Sequence, residues 1–149
     1  MKEDSSYYLR KAQLTDFDFI TTLNKEVYSP YLQQYGLNWD YEYFKNTYDS
    51  NNYQLIVIND EIIGYLSLLE NDSTIWIKDI VLIPRIRSKG IGRLVLNSII
   101  KQAQSKNKIT KLRVFKNNKA YKLYKELNFK LVNDDETHFE MEYDINGSN

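Results

Sequence analysis

The stretch KDIVLIPRIRSKGIGRLVLNSII, residues 78–100, decides the fold of this chain. Four consecutive apolar residues at positions 80–83 predict a strand, and Pro84 ends it. A basic loop follows. The segment after Gly90 then repeats apolar residues at helical spacing. The stretch therefore predicts a strand, a loop and a helix in that order.

The start of this predicted helix suits an anionic ligand. The first backbone N–H groups of a helix have no intrahelical acceptor, and the helix dipole adds partial positive charge at that end. Because Gly90 and Gly92 have no Cβ, an anionic group can come close to the main chain. Four cations surround the same turn: Arg85, Arg87, Lys89 and Arg93. This combination favours a diphosphate ligand.

Two common phosphate-binding motifs do not match this loop. A Walker loop needs a lysine and a hydroxyl residue after its last glycine, whereas Arg93 and Leu94 follow Gly92. The dinucleotide fingerprint needs a third glycine where this chain has Val95. The motif that remains, over residues 87–92, reads R-x-x-G-x-G.

Hydrophobic patterning divides the segment before this loop into elements. A short strand is predicted at residues 8–12. We expect the helix that follows to start at an N-cap at Thr15 or Asp16 and to end near Tyr28, before Pro30. A second helix runs from a cap at Asp40 to about residue 48. Strands at 55–58, 62–69 and 74–83, joined by short turns, form an antiparallel meander, in which Gly64 marks a bulge or a close backbone approach.

The segment after the loop contains two helices and three strands. The helix that follows Gly92 ends near residues 105–108, and we expect it to bury one stripe: Ile91, Leu94, Val95, Leu96, Ile99 and Ile100. The strand at 111–115 lies across this helix from the fourth strand, which predicts a parallel pair. A short helix starts at Asn117 or Asn118 and has four residues facing inward: Ala120, Leu123, Tyr124 and Leu127. A hairpin of strands at 129–132 and 139–143 follows it. Residues 147–149 are expected to fray, and we predict one domain over residues 1–149, with its core at about 8–143.

Two motifs and the order of elements resemble one family. The R-x-x-G-x-G loop, with Leu82 and Pro84 ahead of it, resembles the acetyl-CoA loop of the GCN5-related N-acetyltransferases, the GNAT superfamily. Residues 117–129, NNKAYKLYKELNF, resemble the same family's N-x-x-A-x-x-L-Y-x-x-x-G-F signature. Asn128 replaces the usual glycine, but asparagine tolerates the left-handed conformation, so we expect the turn to survive. The resemblance implies a mixed α/β (α+β) fold: a mostly antiparallel sheet with a parallel, splayed pair at strands 4 and 5, and helices on both faces.

The resemblance also implies an activity and a set of cofactor contacts. The activity is acetyl transfer from acetyl-CoA to a primary amine by direct attack, without an acylated enzyme. The main chain of strand 4 would pair with the pantetheine arm, and the loop amides would hold the pyrophosphate. The implied cofactor-binding residues are Ile80, Val81, Leu82, Arg87, Ser88, Lys89, Gly90, Ile91, Gly92, Arg93, Asn117, Ala120 and Tyr124.

The resemblance assigns Tyr124 as the general acid. An unperturbed phenol has a pKa of about 10, so it is protonated at neutral pH and can donate to a leaving thiolate. Helical periodicity alone would place Tyr124 in the core. Asp79 is our first candidate for the base. Four further candidates are Glu70, His138, Glu140 and Glu142.

The aromatic stretch at residues 28–48 is the expected acceptor site. Tyr28, Tyr31 and Trp39 could receive an amine by cation–π contacts, although aromatic residues also pack helices onto sheets. We expect a small-molecule amine as acceptor. The alternatives are a lysine or amino terminus of a peptide or protein, or an acyl-CoA sensor without turnover.

Composition narrows the other classes of function. The 149 residues carry no formal net charge, no cysteine and one histidine. This excludes disulfide frameworks, thiolate zinc sites and a cysteine nucleophile, and it disfavours nucleic acid as a partner. The opening MKEDSSYYLR lacks a signal-type apolar region, and no run approaches about 20 apolar residues. We expect a cytoplasmic monomer or homodimer that binds no metal and no membrane.

Overall fold

The computed structural model describes residues 6–145, and the predicted fraying of residues 147–149 lies outside this range. The order of helices and strands is the predicted one. The strands are β1 (Tyr8–Lys11), β2 (Tyr53–Ile58), β3 (Glu61–Glu70), β4 (Thr74–Leu82), β5 (Ile109–Phe115), β6 (Phe129–Asp134) and β7 (His138–Tyr143). The helices are α1 (Phe17–Gln34), α2 (Tyr41–Thr47), α3 (Ile91–Ser105) and α4 (Ala120–Glu126).

The strands form a mixed sheet in the order β1-β2-β3-β4-β5-β7-β6. Strand β2 pairs antiparallel with β1 and β3, and β7 does so with β5 and β6. Strands β4 and β5 are parallel, with pairs from Thr74–Ile109 to Ile77–Leu112. This confirms the predicted mixed sheet and its parallel pair.

The Cα positions group the chain into two compact units. Unit 1 comprises the chain up to Ser67 together with Asp79–Gly92, and unit 2 comprises Leu68–Lys78 together with the chain from Arg93. The organisation as a single domain stays a prediction. Among residues 6–145, no helix combines the length and the apolarity that a membrane span requires.

Helix α1 and three strands build the core of unit 1. Ile20 and Leu23 lie on one face of α1 and are buried with Leu55, Tyr65 and Val81 in a single apolar cluster. The cluster fixes α1 relative to β2, β3 and β4 within this unit.

The predicted end of α1 is wrong, because the helix continues through Pro30 to Gln34. A proline inside a helix leaves the carbonyl of the residue four positions earlier, here Glu26, without its usual donor. Glu26 and Pro30 are both exposed, so water can hydrate that carbonyl. Tyr31 lies beyond the proline and is half-buried, so side-chain packing favours continuing the helix there.

The start of α1 also differs from the prediction. A single 3-10 turn, Leu14–Asp16, precedes the helix, and the side chain of Asp16 does not cap α1. Its carboxylate accepts from the backbone N–H of Gln13 at 2.8 Å and from both terminal nitrogens of Arg10 at 3.0 and 3.2 Å. The second predicted cap is confirmed, since Asp40 accepts from the N–H of Tyr43 at the start of α2.

Gly64 marks a close approach of two backbones, as predicted. A Cβ at this position would overlap the carbonyl oxygen of Val81 and would lie 3.0 Å from a methyl carbon of Leu82. The pairing of β2 with β3 also shifts register opposite this glycine, between Ile56 and Val57. Gly64 therefore lets β3 lie tightly against the end of β4 that leads into the glycine loop.

Helix α3 buries a broad face, but Leu94 does not belong to it. Leu94 is 42% exposed, whereas Val95, Leu96 and Ile99 are almost fully buried. At about 100° per residue, the buried positions cover roughly half of the helix circumference, and Leu94 falls about 60° outside that arc. The prediction that Leu94 is buried is therefore wrong, while the broad buried face and the helix end at Ser105 are confirmed.

The last elements of unit 2 follow the prediction closely. Asn128 adopts a left-handed backbone with a φ of 72°, so the turn survives without glycine. The hairpin reverses one or two residues later than expected, where the carboxylate of Asp135 accepts from the N–H groups of Thr137 and His138. Tyr124 is buried on α4, whereas Leu123 and Leu127 are only half-buried.

Candidate active site

The glycine loop, residues 87–92, joins β4 to α3 through an exposed turn. After β4 ends at Leu82, a 3-10 turn at Pro84–Ile86 leads into the loop. Ser88 and Gly90 both adopt left-handed conformations, with φ values of 66° and 89°. Backbone strain at a non-glycine residue such as Ser88 is typical of ligand-binding turns. Residues 87–90 of the loop are exposed, and the fifteen-residue α3 begins immediately after Gly90 at the buried Ile91.

Three of the four cations predicted around this turn, the arginines, each contact a different group. Arg85 forms an ion pair with Glu61, and Arg93 pairs with Glu126 at 2.8 Å. The Nε–H of Arg87 donates to the carbonyl oxygen of Leu82 at 3.0 Å. Exposed ion pairs contribute only about 0–1 kcal/mol, so an arginine can exchange such a partner for a phosphate at little cost.

The end of β4 presents its backbone groups to two opposite edges. The N–H of Ile83 donates to the carbonyl of Ile63 on β3. Successive strand residues alternate in the edge to which their polar groups point. The N–H and C=O groups of Leu82, the residue before Ile83, therefore point away from β3, and its carbonyl oxygen accepts from Arg87.

Asp79 lies at the centre of a hydrogen-bonded network in unit 1. The hydroxyl of Tyr28 donates to Asp79 Oδ1 at 2.5 Å, and the amide nitrogen of Asn24 lies 3.5 Å from Asp79 Oδ2. Asn24 also donates to the hydroxyl of Tyr65 at 2.7 Å and accepts from Trp39 Nε1 at 2.8 Å. These five residues, called the Asn24 network below, bring together the predicted base and two of the three predicted acceptor-binding residues.

The phenol of Tyr65 stays protonated in this network. Burial, followed by the negative charge of Asp79, raises its pKa well above the usual value. Its hydroxyl accepts from Asn24. The Asp79 carboxylate has a neutral donor on α1, the hydroxyl of Tyr28.

The third predicted acceptor-binding residue, Tyr31, lies next to Tyr28, with ring centroids 6.3 Å apart. Trp39 already has a cation over its ring, because Lys25 Nζ lies 5.7 Å from the centroid. A cationic acceptor would therefore find one face of the indole occupied by this lysine. The cation–π contact predicted between Trp39 and the acceptor is therefore limited to the other face of the indole.

Three of the other candidate bases are glutamates that form ion pairs within unit 2. Glu70 pairs with Lys108 at 2.6 Å and Lys106 at 3.1 Å, and the hydrogen bond from Lys108 is the largest cause of its lowered pKa. Glu140 and Glu142 both pair with Lys111, at 3.3 and 3.2 Å. A carboxylate held by ammonium groups is a weaker proton acceptor than one held by neutral donors.

His138 packs against an aromatic ring at the start of β7. Its ring centroid lies 4.1 Å from that of Phe115, and its Nδ1 lies 2.7 Å from the hydroxyl of Thr137. Burial is the largest cause of its lowered pKa, and the charge of Arg113 adds to the effect. The imidazole is therefore neutral at physiological pH.

Tyr124 is held in unit 2 by its aromatic ring. It is 8% exposed, and its ring meets the ring of Phe129 edge-on with centroids 5.9 Å apart. The side chain of Asn118 accepts from the N–H of Ala120 and so orders the start of α4. Of the two asparagines predicted to start this helix, Asn118 makes that bond, and Asn117 is half-buried beside it.

Sequence reasoning missed Asn24 and Tyr65. Both lie on the buried faces of their elements, where α1 and β3 need apolar side chains. The sequence did contain one signal for Asn24, because this polar residue lies on an otherwise apolar face of the helix. A buried amide needs hydrogen-bond partners, so its position indicated that other polar groups lie nearby. Among residues 6–145, no three His, Cys, Asp or Glu side chains are arranged to hold a metal ion.

Comparison with known proteins gives matches to solved structures and to one family. PaiA N-acetyltransferase from Thermoplasma acidophilum, in complex with coenzyme A, is 19% identical, with a TM-score of 0.66 over 93% of this chain and 98% of its own. Arabidopsis thaliana Naa50, in complex with the bisubstrate analogue CoA-Ac-MVNAL, is 18% identical, with a TM-score of 0.68 over 94% and 99%. N-acetylglutamate synthase from Neisseria gonorrhoeae, complexed with coenzyme A and N-acetyl-glutamate, is 16% identical, with a TM-score of 0.65 over 93% of this chain and 35% of its own.

These structural likenesses show the fold. No curated protein sequence matches the chain. The model of the acetyltransferase (GNAT) family matches residues 17–129, which include both the glycine loop and the Asn24 network. The chain belongs to the GNAT family of acetyltransferases.

Proposed function

We propose that this GNAT acetyltransferase transfers the acetyl group of acetyl-CoA to a primary amine of a small molecule, by direct attack of the amine. The observation that carries the proposal is the glycine loop, with its left-handed Ser88 and Gly90 directly before α3. We place the reaction in the cytoplasm.

The residues of unit 1 fit the diphosphate of coenzyme A. Exposed backbone at residues 88–90 precedes the first turn of α3, where amide N–H groups lack intrahelical acceptors. A Cβ added at Gly92 would meet its nearest atom only at 3.9 Å, so the protein leaves room on that side of the helix. The outward N–H group of Leu82 suits a hydrogen bond to an amide carbonyl of the pantetheine arm, and we carry Ile80 and Val81 over from the family resemblance as further main-chain contacts. Bound acetyl-CoA supplies the activated acetyl group.

Asp79 is the proposed base for the acceptor. An ammonium group must lose a proton before its nitrogen can attack, and the Asp79 carboxylate takes that proton directly or through one water. The hydroxyl of Tyr28 on α1 holds the carboxylate in place. The rings of Tyr28, Tyr31 and Trp39 would bound a compact acceptor pocket, which favours a small amine.

Tyr124 is the proposed general acid. As the C–S bond breaks, the phenol donates its proton to the sulfur, so coenzyme A leaves as a thiol. The attacking nitrogen gives up its extra proton to water, and the phenolate takes a proton back from water. The contact with Phe129 fixes the ring and leaves the hydroxyl as the reactive group. We carry Asn117 and Ala120 over from the family signature as further contacts to the coenzyme.

One structural neighbour favours a second candidate. Arabidopsis Naa50 was solved with an analogue that joins coenzyme A to a peptide. A peptide amino terminus is also a primary amine, and Asp79 could take its proton in the same way. The second candidate is therefore acetylation of a peptide or protein amine.

A thiol-release assay tests these proposals. Purified protein with acetyl-CoA would be mixed with polyamines, aminoglycosides, amino acids or short peptides, and the release of coenzyme A thiol would be measured. We expect release that depends on one class of small amine. Release with peptides alone would support the second candidate. Coenzyme binding by calorimetry without release from any amine would contradict the enzyme proposal in favour of a sensor.

A further inference from the structure

We propose that Asn24 is a positioning residue that fixes the base Asp79 and the acceptor wall Trp39 relative to each other. This inference rests on the proposed function, because it assigns a role within the same acceptor site. Asn24 is 6% exposed and lies on α1, one turn before Tyr28.

The orientation of the Asn24 amide follows from its partners. The indole Nε1–H of Trp39 can only donate, so the atom that faces it must be the amide oxygen of Asn24. The NH₂ group then faces the hydroxyl of Tyr65 and the carboxylate of Asp79, at 2.7 and 3.5 Å. An aspartate at this position could still accept from Trp39 but could not donate. A leucine could do neither.

The spacing on α1 explains how one helix orients the carboxylate. Asn24 and Tyr28 are four residues apart, so their side chains lie on the same face of the helix. Tyr28 donates to Oδ1 of Asp79, and Asn24 faces Oδ2. The two side chains of α1 therefore address the two oxygens of the same carboxylate.

Two of the phenols around Asp79 have raised pKa values and do not titrate in the neutral range. Tyr53 on β2 and Tyr65 on β3 interact electrostatically with Asp79, and burial raises the pKa of both phenols above the usual value. Tyr28 on α1 is the third phenol in contact with the carboxylate. A new titration near neutral pH after a change at position 24 would therefore come from Asp79 and the new residue.

Asn24→Asp is the sharpest variant, because it keeps the bond from Trp39 and replaces the donor to Asp79 by a second carboxylate. Two carboxylates this close resist joint ionisation, so the pair takes up a proton at higher pH than Asp79 alone. We expect the acid limb of kcat/KM for the acceptor to move to higher pH by about one unit or more. We also expect the KM of the acceptor to rise about tenfold, while the Kd of coenzyme A stays within about twofold.

Two further variants separate the links of the network. Trp39→Phe removes the indole donor and part of the ring but adds no charge, so it should raise the acceptor KM and leave the acid limb in place. Thr21→Val is the matched control on α1: Thr21 is buried, and its hydroxyl has no hydrogen-bond partner among the described residues. It should change neither the KM nor the pH profile.

A second readout needs neither coenzyme nor acceptor. The indole N–H resonance of Trp39, assigned with Trp39→Phe, should titrate in Asn24→Asp with the midpoint of the shifted acid limb. In the unsubstituted protein it should show no such titration. An unshifted acid limb together with an untitrated indole would overturn the positioning role, even if the acceptor KM had changed.

The outcomes also separate this inference from the proposed function. Coenzyme binding and amine-dependent thiol release that persist unchanged in Asn24→Asp would overturn the inference alone. Absence of both activities in the unsubstituted protein would overturn the proposed function and this inference with it. If Asn24→Asp does not fold, an unchanged acceptor KM in Trp39→Phe would overturn the inference.

Discussion

Tyr124 combines a packed ring with a hydroxyl that we propose as the proton donor. Replacing it with phenylalanine keeps the edge-on contact with Phe129 and removes only the oxygen. General acids contribute about 100-fold or more to a rate, so we expect Tyr124→Phe to lower kcat by at least that factor. The Kd of acetyl-CoA should stay within about twofold. Steady-state kinetics and calorimetry would measure the two quantities.

The same helix offers a matched control for this substitution. Tyr121 stacks on Phe139, with ring centroids 4.7 Å apart, and Tyr121→Phe also removes a single phenol oxygen from α4. We expect its kcat to match that of the unsubstituted protein. An equal loss of turnover in both variants would show that α4 tolerates neither change, and it would remove the case for Tyr124 as the acid.

Asp16 makes the stability of unit 1 depend on pH. Its hydrogen bond to Arg10 is the largest cause of its lowered pKa, and the N–H of Gln13 adds to it. A carboxyl with a lowered pKa in the folded state stabilises the protein above its unfolded pKa of about 4, and it loses this effect as the pH falls further. Asp16→Asn should therefore lower the free energy of unfolding by about 1–3 kcal/mol at pH 7.

Urea denaturation, repeated at several pH values from about 7 down to about 2.5, would test this prediction. The difference between Asp16→Asn and the unsubstituted protein should narrow below about pH 4. Asp18→Asn removes a charge two residues later, at an exposed position in the first turn of α1, so it should cost less than about 1 kcal/mol. A difference that is constant across the pH range would mean that the charge of Asp16 does not contribute.

At the scale of elements, the glycine loop and α3 allow stability and binding to be separated. An added methyl group at Gly92 would meet its nearest atom, in the side chain of Leu82, at 3.9 Å. Alanine also favours helix over glycine by up to about 1 kcal/mol. Gly92→Ala should therefore keep or raise Tm, and yet weaken coenzyme A binding about tenfold or more, because the methyl group occupies the face that the diphosphate would approach.

Calorimetric titration and thermal denaturation of the same sample would show the two opposite effects. Gly36→Ala is a useful comparison, since Gly36 lies in an exposed turn after α1 with a φ of 73°. It should lower Tm through backbone strain and leave coenzyme binding unchanged. If Gly92→Ala bound coenzyme A as tightly as the unsubstituted protein, the diphosphate could not lie against this turn.

Elements whose boundaries depend on local chemistry were predictable from the sequence. The cap at Asp40, the tight approach at Gly64 and the left-handed Asn128 all follow from the residue itself and its immediate neighbours. The prediction for Pro30 was wrong because packing beyond the proline outweighs one missing backbone bond. The prediction for Leu94 was wrong because α3 contains many apolar residues. Their i, i+3 spacing is consistent with more than one buried arc of the helix, and Leu94 belongs to an arc that is not buried.

At the scale of the molecule, the Asn24 network could not be predicted as a unit. Asn24, Tyr65 and Asp79 lie on three elements, and 41 and 55 residues separate Asn24 from its two partners. Periodicity reports which face of an element is buried, but it does not report which buried polar groups meet. The sequence motifs located the coenzyme loop because one continuous segment builds it. The acceptor site needs side chains from three segments.

Coenzyme binding should also stabilise the folded protein as a whole. A ligand that binds only the native state at 100 times its Kd adds about 2.7 kcal/mol, which for a chain of this length raises Tm by about 5–10 °C. We expect this increase with coenzyme A and its loss in Gly92→Ala. ATP at the same concentration should raise Tm by less than about 2 °C, because the proposed site also recognises the pantetheine arm through Ile80 and Leu82. Equal increases with ATP and coenzyme A would show that the loop binds nucleotide phosphates in general, and the acetyl-CoA assignment would then lose its structural basis.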